Sequence, residues 1–405
     1  MSGTLRQRVR DGVRGLAPGY FALVMASGIL SVGLQLQGFP VLSAVLLAVC
    51  AGGWAVLCLL TVWRFAAFRR ELLVEFLDPR RAFGFFTFVA GTNVLAARLA
   101  TTGWHGATAV LLGLAGAVWL VLGYVVPWTA VLSRRTRPVV STANGTWFIW
   151  VVASQSVAVA AAALDPVVAD GTARHALSVV AVVCWSVGLF LYASAGVLVT
   201  LRMMLYPLRP VDLTPPYWVA MGACAITVLA ASRIVEMSDT PMVAVVRGLV
   251  AGLGVVFWAF ATWLIPALVA AGWWRHRVHR VPLRYESSLW SVVFPLGMYA
   301  VASIYLGRAD GLPIVGLVGA AWLWVALGAW AVVFTAMLVH LVRRLLLGRQ
   351  VPAPVWPGPD PADDPDTTGR SGPVGGADTA GRSGPAGGAD TAGSPDPAGG
   401  PDTAR

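Results

Sequence analysis

Lysine is absent: all 29 basic residues of the 405-residue chain are arginine, a compositional bias that carries no mechanism by itself. Charge of either sign is scarce. Only 12% of residues are charged, 57% are hydrophobic, and the mean hydropathy is +0.73. A soluble domain carries roughly 25% charged residues, so this deficit excludes a water-soluble core and fits a polytopic membrane protein. Cysteine is also sparse. Cys50, Cys58, Cys184 and Cys224 lie inside apolar runs and form no Cys-x-x-Cys pair, which argues against disulfide or metal chemistry and for small-hydrophobe packing.

Absent motifs narrow the field further. Prenyl or phosphate chemistry in a membrane needs Asp-rich metal motifs, and intramembrane proteolysis needs paired aspartates or a His-Glu zinc motif. The acids outside the C-terminal tail, from Asp11 to Asp310, fall almost entirely in loops. His276 and His279 lie in the basic loop Arg275–Arg280 and read as solvated. There is no P-loop, nucleophile elbow or dinucleotide fingerprint. The chain therefore reads as neither enzyme nor pump, with no cofactor and no metal. The net charge of +10 would suit nucleic acid, but the arginines form short clusters between apolar runs rather than a basic domain, so no nucleic-acid partner is expected.

What is present is length. A helix needs about 20 apolar residues to cross a bilayer, and ten such runs occur: 18–37, 41–67, 82–101, 105–133, 144–164, 175–204, 216–236, 242–273, 287–306 and 312–346. Trp104, Trp128, Trp147, Trp218, Trp273, Trp274 and Trp290 sit near their ends, at the headgroup level tryptophan prefers. The first run follows four arginines like a signal peptide, but it is long, lacks a cleavage site and precedes further spans, so it reads as the first span. Alternate loops, with the N-terminus, carry 21 arginines; the opposite loops and span ends carry five. By the positive-inside rule both termini are cytoplasmic, and the expected location is the plasma membrane.

Three segments result: a basic N-terminus over 1–16, a ten-span domain over 17–347, and a tail over 348–405. In the tail, Asp366-Thr367-Thr368-Gly369-Arg370-Ser371-Gly372-Pro373 returns twelve residues later as Asp378-Thr379-Ala380-Gly381-Arg382-Ser383-Gly384-Pro385. Gly, Pro, Ala and Asp without large apolar residues cannot bury a core, so this segment is predicted to be disordered.

A second repeat lies within the spans. The first, third, fifth, seventh and ninth carry small-residue patches at Met25-Ala26-Ser27-Gly28, Val89-Ala90-Gly91-Thr92, Val152-Ala153-Ser154-Gln155, Met221-Gly222-Ala223-Cys224 and Leu296-Gly297, recurring every 63 to 75 residues. The even spans are bulkier. The pattern predicts five helical hairpins, odd helices inside and even helices outside. For a single patch, close helix packing explains the small residues; five in register point to a shared lumen lined at Gly28, Gly91, Ser154, Gly222, Pro295 and Gly297. In the ninth span Phe294 precedes a helix-bending proline, and its ring is either filler or a constriction.

Polar residues at membrane depth are costly and call for a reason. Asn93 and Gln155 either bond across helices or line a path. Arg233 and Glu236, three apart on one helix, either neutralise each other or leave Arg233, with Arg98, to give an outer vestibule a field that concentrates anions. No acidic ring suits cations. A lumen of Gly, Ala, Ser and Thr with arginine near its mouths binds anions weakly, as fast throughput requires.

Three stretches carry a resemblance: Gly19-Tyr20-Phe21-Ala22-Leu23-Val24-Met25-Ala26-Ser27-Gly28-Ile29-Leu30, Asn144-Gly145-Thr146-Trp147-Phe148 and Trp290-Ser291-Val292-Val293-Phe294-Pro295-Leu296-Gly297. Over residues 17–346 the chain resembles the tellurite-resistance/dicarboxylate transporter family, the TehA-type proteins that include the plant slow anion channels, within the voltage-dependent anion channel superfamily. The resemblance implies a pseudo-five-fold bundle of five hairpins around a pore, a homotrimer, and a phenylalanine plug at Phe294. It also implies transport of small anions: inorganic anions, sulfite, or C4-dicarboxylates such as malate, with tellurite resistance as a linked phenotype. Ala26-Ser27 departs from the expected Gly-Thr, and intramembrane Arg98 and Arg233–Glu236 leave room for carboxylate binding or proton coupling. The alternative reading is a membrane-embedded enzyme, or a sensor or interaction protein acting through its tail.

Overall fold

A computed structural model describes residues 4–132 and 138–347. The repeat tail and Arg134, Arg135 and Arg137 lie outside the described residues. Those residues fold as helices and turns with no strand among them. Ten helical segments are long and apolar enough to cross a membrane, and their bounds lie within five residues of the sequence-predicted spans.

The helices are α1 (Leu5–Arg14), α2 (Ala22–Leu36), α3 (Pro40–Ala67), α4 (Arg69–Leu77), α5 (Phe86–Ala100), α6 (His105–Val126), α7 (Phe148–Leu164), α8 (Gly171–Leu205), α9 (Val219–Val235), α10 (Pro241–Trp273), α11 (Trp290–Ala309) and α12 (Pro313–Leu341). Short α1 and α4 lie at the arginine-rich end. There Arg14 pairs with Glu71 at 2.8 Å, and buried Arg64 with Glu75 at 2.8 Å.

Two classes of span separate by burial. In the most apolar windows of the segments containing α2, α5, α7, α9 and α11, 78–83% of residues are buried; in those containing α3, α6, α8, α10 and α12 the share is 11–33%. The first class makes an inner set. α2 packs on α5, α5 on α7, α7 on α9, α9 on α11, and α11 back on α2, so the sequence of contacts closes on itself. Each inner helix also packs on the outer helix that follows it in the chain.

Local chemistry repeats with this arrangement. Every inner helix is entered through a 3₁₀ turn, at Pro18–Phe21, Ala82–Phe85, Gly145–Trp147, Pro215–Trp218 and Ser287–Leu289. Three of the turns that leave inner helices place a glycine at positive φ, Gly38 at 81°, Gly103 at 82° and Gly311 at 63°, a backbone state in which a side chain is disfavoured. Proline opens α3, α10 and α12, where its missing N–H has no helical partner to lose.

Mid-span tryptophans tie the outer helices to the inner set. The Nε1 of Trp54 on α3 donates to Thr92 Oγ1 on α5 (2.9 Å), and that of Trp185 on α8 to the Thr227 carbonyl on α9 (3.2 Å). Trp258 on α10 donates to Ser303 Oγ on α11, and Trp330 on α12 to Ser27 Oγ on α2, both at 2.9 Å. In each case the acceptor lies on the inner helix after the tryptophan's own neighbour, so every outer helix that makes this bond bridges two inner ones. Trp119 holds the corresponding place on α6, and its Nε1 is buried without a partner among the described residues. An indole N–H buried in apolar surroundings seeks an acceptor, which gives these contacts direction as well as area.

Candidate functional site: a cavity shared by the five inner helices

A cavity of about 200 Å³ lies among the C-terminal halves of the inner helices, at the arginine-poor end of the bundle. All five helices reach it: Ile29 from α2, Asn93 from α5, Ser156 from α7, Ile226 from α9 and Met298 from α11. Nearer the helix ends, Thr101, His105, Arg233 and Tyr305 join the wall. The lining is mostly apolar, with one amide, one imidazole, a few hydroxyls and one guanidinium.

Asn93 donates from Nδ2 to Ser156 Oγ at 3.0 Å, and Ser156 in turn donates to the Ala153 carbonyl at 2.7 Å. The Asn93 Oδ1 is buried without a hydrogen-bond partner among the described residues. Arg233 donates from Nη1 to Glu236 Oε2 at 2.6 Å, and its guanidinium stands 5.3 Å from the centre of the Tyr305 ring. This arginine is therefore paired with Glu236 while it lines the cavity. With side-chain exposures of 21% and 34% the pair is partly wetted, which screens its mutual attraction. At the same end of the bundle, in the turn after α11, burial pushes the Asp310 carboxyl above its ordinary range.

Phe294 lies four residues before Met298 on the continuous helix α11. Residues four apart share a face, so Phe294 occupies the next turn inward from the cavity wall. It is 1% exposed, and among the described residues its ring pairs with no other aromatic ring. Pro295 sits beside it within the helix, and its missing N–H leaves the Ser291 carbonyl without that helical donor.

The remaining sequence-predicted residues are not in the cavity wall. Gly28, Gly91, Gly222 and Gly297 mark close helix contacts. A Cβ on Gly222 would stand 2.8 Å from Pro295 Cγ, one on Gly28 2.7 Å from Val94 Cγ1, one on Gly297 3.0 Å from Ile29 Cγ2, and one on Gly91 3.3 Å from the Phe21 carbonyl. The packing explanation therefore applies to the patches: they let the inner helices approach each other, and Pro295 is the surface Gly222 accommodates. Ser154 turns outward and donates to the Cys184 carbonyl on α8 at 2.8 Å. Gln155 does the same, giving its Nε2 to the Trp185 carbonyl at 3.1 Å while its side chain lies over Gly188.

Arg98 also turns away from the cavity. It is 2% exposed and donates to Ser31 Oγ (2.8 Å), Ser43 Oγ (2.9 Å), Thr101 Oγ1 (2.8 Å) and Gln35 Oε1 (3.4 Å). Among the described residues it has no carboxylate partner, and it knits α2, α3 and α5 together. Sequence reasoning missed Ser156, His105 and Tyr305. A signal existed for Ser156, which stands three residues after Ala153, as Asn93 does after Ala90 and Ile29 after Ala26; all three line the cavity.

A family model described as voltage-dependent anion channel matches residues 15–338. Over 157 residues the chain is 65% identical to Uncharacterized membrane protein MT1776 of Mycobacterium tuberculosis, covering 39% of this chain and 80% of that protein. Over 332 residues it is 24% identical to Uncharacterized transporter MJ0576 of Methanocaldococcus jannaschii, covering 80% of this chain and 92% of that one.

Proposed function

The chain belongs to the voltage-dependent anion channel family, a multi-pass membrane family of anion transport, and on that premise we propose that small anions cross through the axis of the inner helices with Phe294 as the gate. The observation that carries this reading is a cavity to which all five inner helices contribute, ending one turn from the buried Phe294 ring. A ring held in a narrow apolar layer excludes water, and a dewetted constriction stops ions. The small-residue contacts keep that layer narrow, and the sparse polar lining of the cavity above it holds an arriving anion weakly.

In this reading the architecture is five helical hairpins in pseudo-five-fold repetition, supported by the closed order of inner contacts and by the recurrent tryptophan bonds. The ten-span domain over 17–347 is the transport unit, the basic N-terminus and the tail flank it, and three copies assemble. Both termini face the cytoplasm, as the 21 to five distribution of arginine supports, and the membrane is the plasma membrane. The cavity then faces outward, and Arg233 is its vestibule charge. Arg98 serves as an internal brace, its donors spent on hydroxyl and amide oxygens.

The substrates are inorganic anions, sulfite or C4-dicarboxylates such as malate. The test is flux from proteoliposomes across chloride, nitrate, sulfite, malate and tellurite. Flux above protein-free vesicles for at least one of them is expected, and its lack for all five in folded protein would refute the reading.

A further inference from the structure

A second and larger cavity, about 950 Å³, opens between the outer helices α8, α10 and α12 at the arginine-rich end of the bundle. Its floor is formed where α9 and α11 begin, at residues such as Tyr217 and Val292, and its walls are almost wholly apolar. One charged side chain reaches it from the end of α10. Arg275 is 7% exposed, and it donates from Nη1 to the Leu213 carbonyl. Its Nε is buried without a partner, and among the described residues its Nη2 makes no hydrogen bond.

The nearby acids form no ion pair with it. Asp212 accepts from Arg209 at 3.1 Å and lies 3.6 Å from Arg202, so two arginines share that carboxylate, while Glu286, whose charge acts on Arg275 through space, accepts from Ser288 at 3.1 Å. A nearly buried cation with unspent donors beside an apolar cleft is costly unless an anion completes it. The completing group has to bring apolar bulk with it, because nothing else would cover the walls.

We propose that this cleft holds one anionic phospholipid, its acyl chains along α8, α10 and α12 and its phosphodiester on Arg275. The position suits it: Arg275 lies in the last turn of the tenth-helix segment Pro241–Val278, where a span meets the headgroups. Basic pockets between helices at such a level take lipid phosphates, and a guanidinium matches two phosphate oxygens at once. A second copy of the chain is the poorer occupant. On this end of the molecule Glu71, Glu75, Asp78 and Asp212 are each engaged by arginine, which leaves Asp11 and Glu286 as the acids without an ion pair among the described residues, and neither brings the apolar bulk that the walls call for.

The site is independent of what the bundle conducts, and its test reads binding alone. The full chain in detergent is titrated with phosphatidylglycerol, phosphatidylcholine or glycerol phosphate, and bound lipid is counted by native mass spectrometry beside a thermal melt. One phosphatidylglycerol per chain is expected, retained over phosphatidylcholine, with glycerol phosphate inert. Arg275→Met should weaken retention by about tenfold or more, the worth of a charge-assisted bond. Arg277→Met, on an exposed arginine lying over Trp273, should leave it unchanged.

Gly196→Leu gives a second approach that leaves Arg275 in place. Gly196 lines the cleft, and a Cβ there meets nothing within 4 Å, so the larger side chain fills lipid space without disturbing the helices. It should abolish binding while the protein stays folded. Equal retention of phosphatidylcholine, equal binding of glycerol phosphate, or undiminished binding in Arg275→Met and Gly196→Leu would each overturn the proposal. So would assembly of the chain through this face in place of lipid, seen as loss of oligomers in Gly196→Leu.

Discussion

Truncating Phe294 to alanine separates a gate from a packing residue. The ring is 1% exposed, next to a cavity of about 200 Å³, so the deletion leaves space that the rigid inner helices cannot fully reclaim. Comparable truncations cost roughly 3–5 kcal/mol of stability, and the melting temperature of the variant should fall. Flux should move the other way. If the ring is the constriction, removing it extends the cavity inward past the Met298 turn and admits water, and anion efflux from proteoliposomes should rise at least tenfold, about 1.4 kcal/mol off the barrier.

Phe86→Ala supplies the control. Phe86 is equally buried, but it packs on Phe83 and Trp150 at ring distances of 6.2 and 6.1 Å and does not line the cavity. It should lose similar stability with unchanged flux. Wild-type or lower flux in folded Phe294→Ala would refute the gate, as would an equal rise in Phe86→Ala, which would mean that general loosening opens the bundle.

Three further outcomes are expected. Glu236→Gln releases Arg233 from its 2.6 Å bond and should raise anion flux by roughly threefold at low ionic strength, with the gain fading as salt is added; Arg233→Gln should lower it. Arg98→Met strips the donor from four oxygens on α2, α3 and α5 and should cost about 3 kcal/mol, read as a lower melting temperature, with the malate-to-chloride flux ratio unchanged; a selective loss of malate flux would show that its charge acts in the cavity. Gly222→Ala places a Cβ 2.8 Å from a proline ring that cannot rotate away and should destabilise by roughly 1–3 kcal/mol. Gly297→Ala, which meets the movable Ile29 and Leu30 side chains, should cost less.

The spans were legible because a bilayer demands apolar length, and no tertiary contact can override that demand. The division into inner and outer helices was legible too, since the small-residue patches recur in register on the inner helices, although outer-helix glycines such as Gly188 and Gly319 also serve close contacts. Azimuth was harder to read. Asn93 and Gln155 lie at similar depth, but the turn of the helix sends one to the cavity and the other to α8. Arg98 shows the same limit: its place near a span end predicted a vestibule, while its hydroxyl partners on α2 and α3 draw it backwards. The mid-span tryptophans escaped notice because the residue's preference for interfaces explained only those near span ends. Trp54, Trp119, Trp185, Trp258 and Trp330 recur at intervals of 65 to 73 residues, a period as clear as that of the small patches.

The contact between α11 and α2 has a topological consequence. The phenolic oxygens of Tyr20 and Tyr285 meet at 3.0 Å, and Arg8 on α1 donates to the carbonyls of Leu345 and Leu346 at 2.9 and 3.2 Å, so the first and last described segments are neighbours. For the helices themselves, the order of translation is then a matter of where a circle was cut. A circular permutant that links the region after Leu346 to α1 and opens instead at the exposed Thr102–Gly103 turn would keep every inner contact. The helical set would begin with α6 and end with α5, and the cavity would be lined by the same side chains.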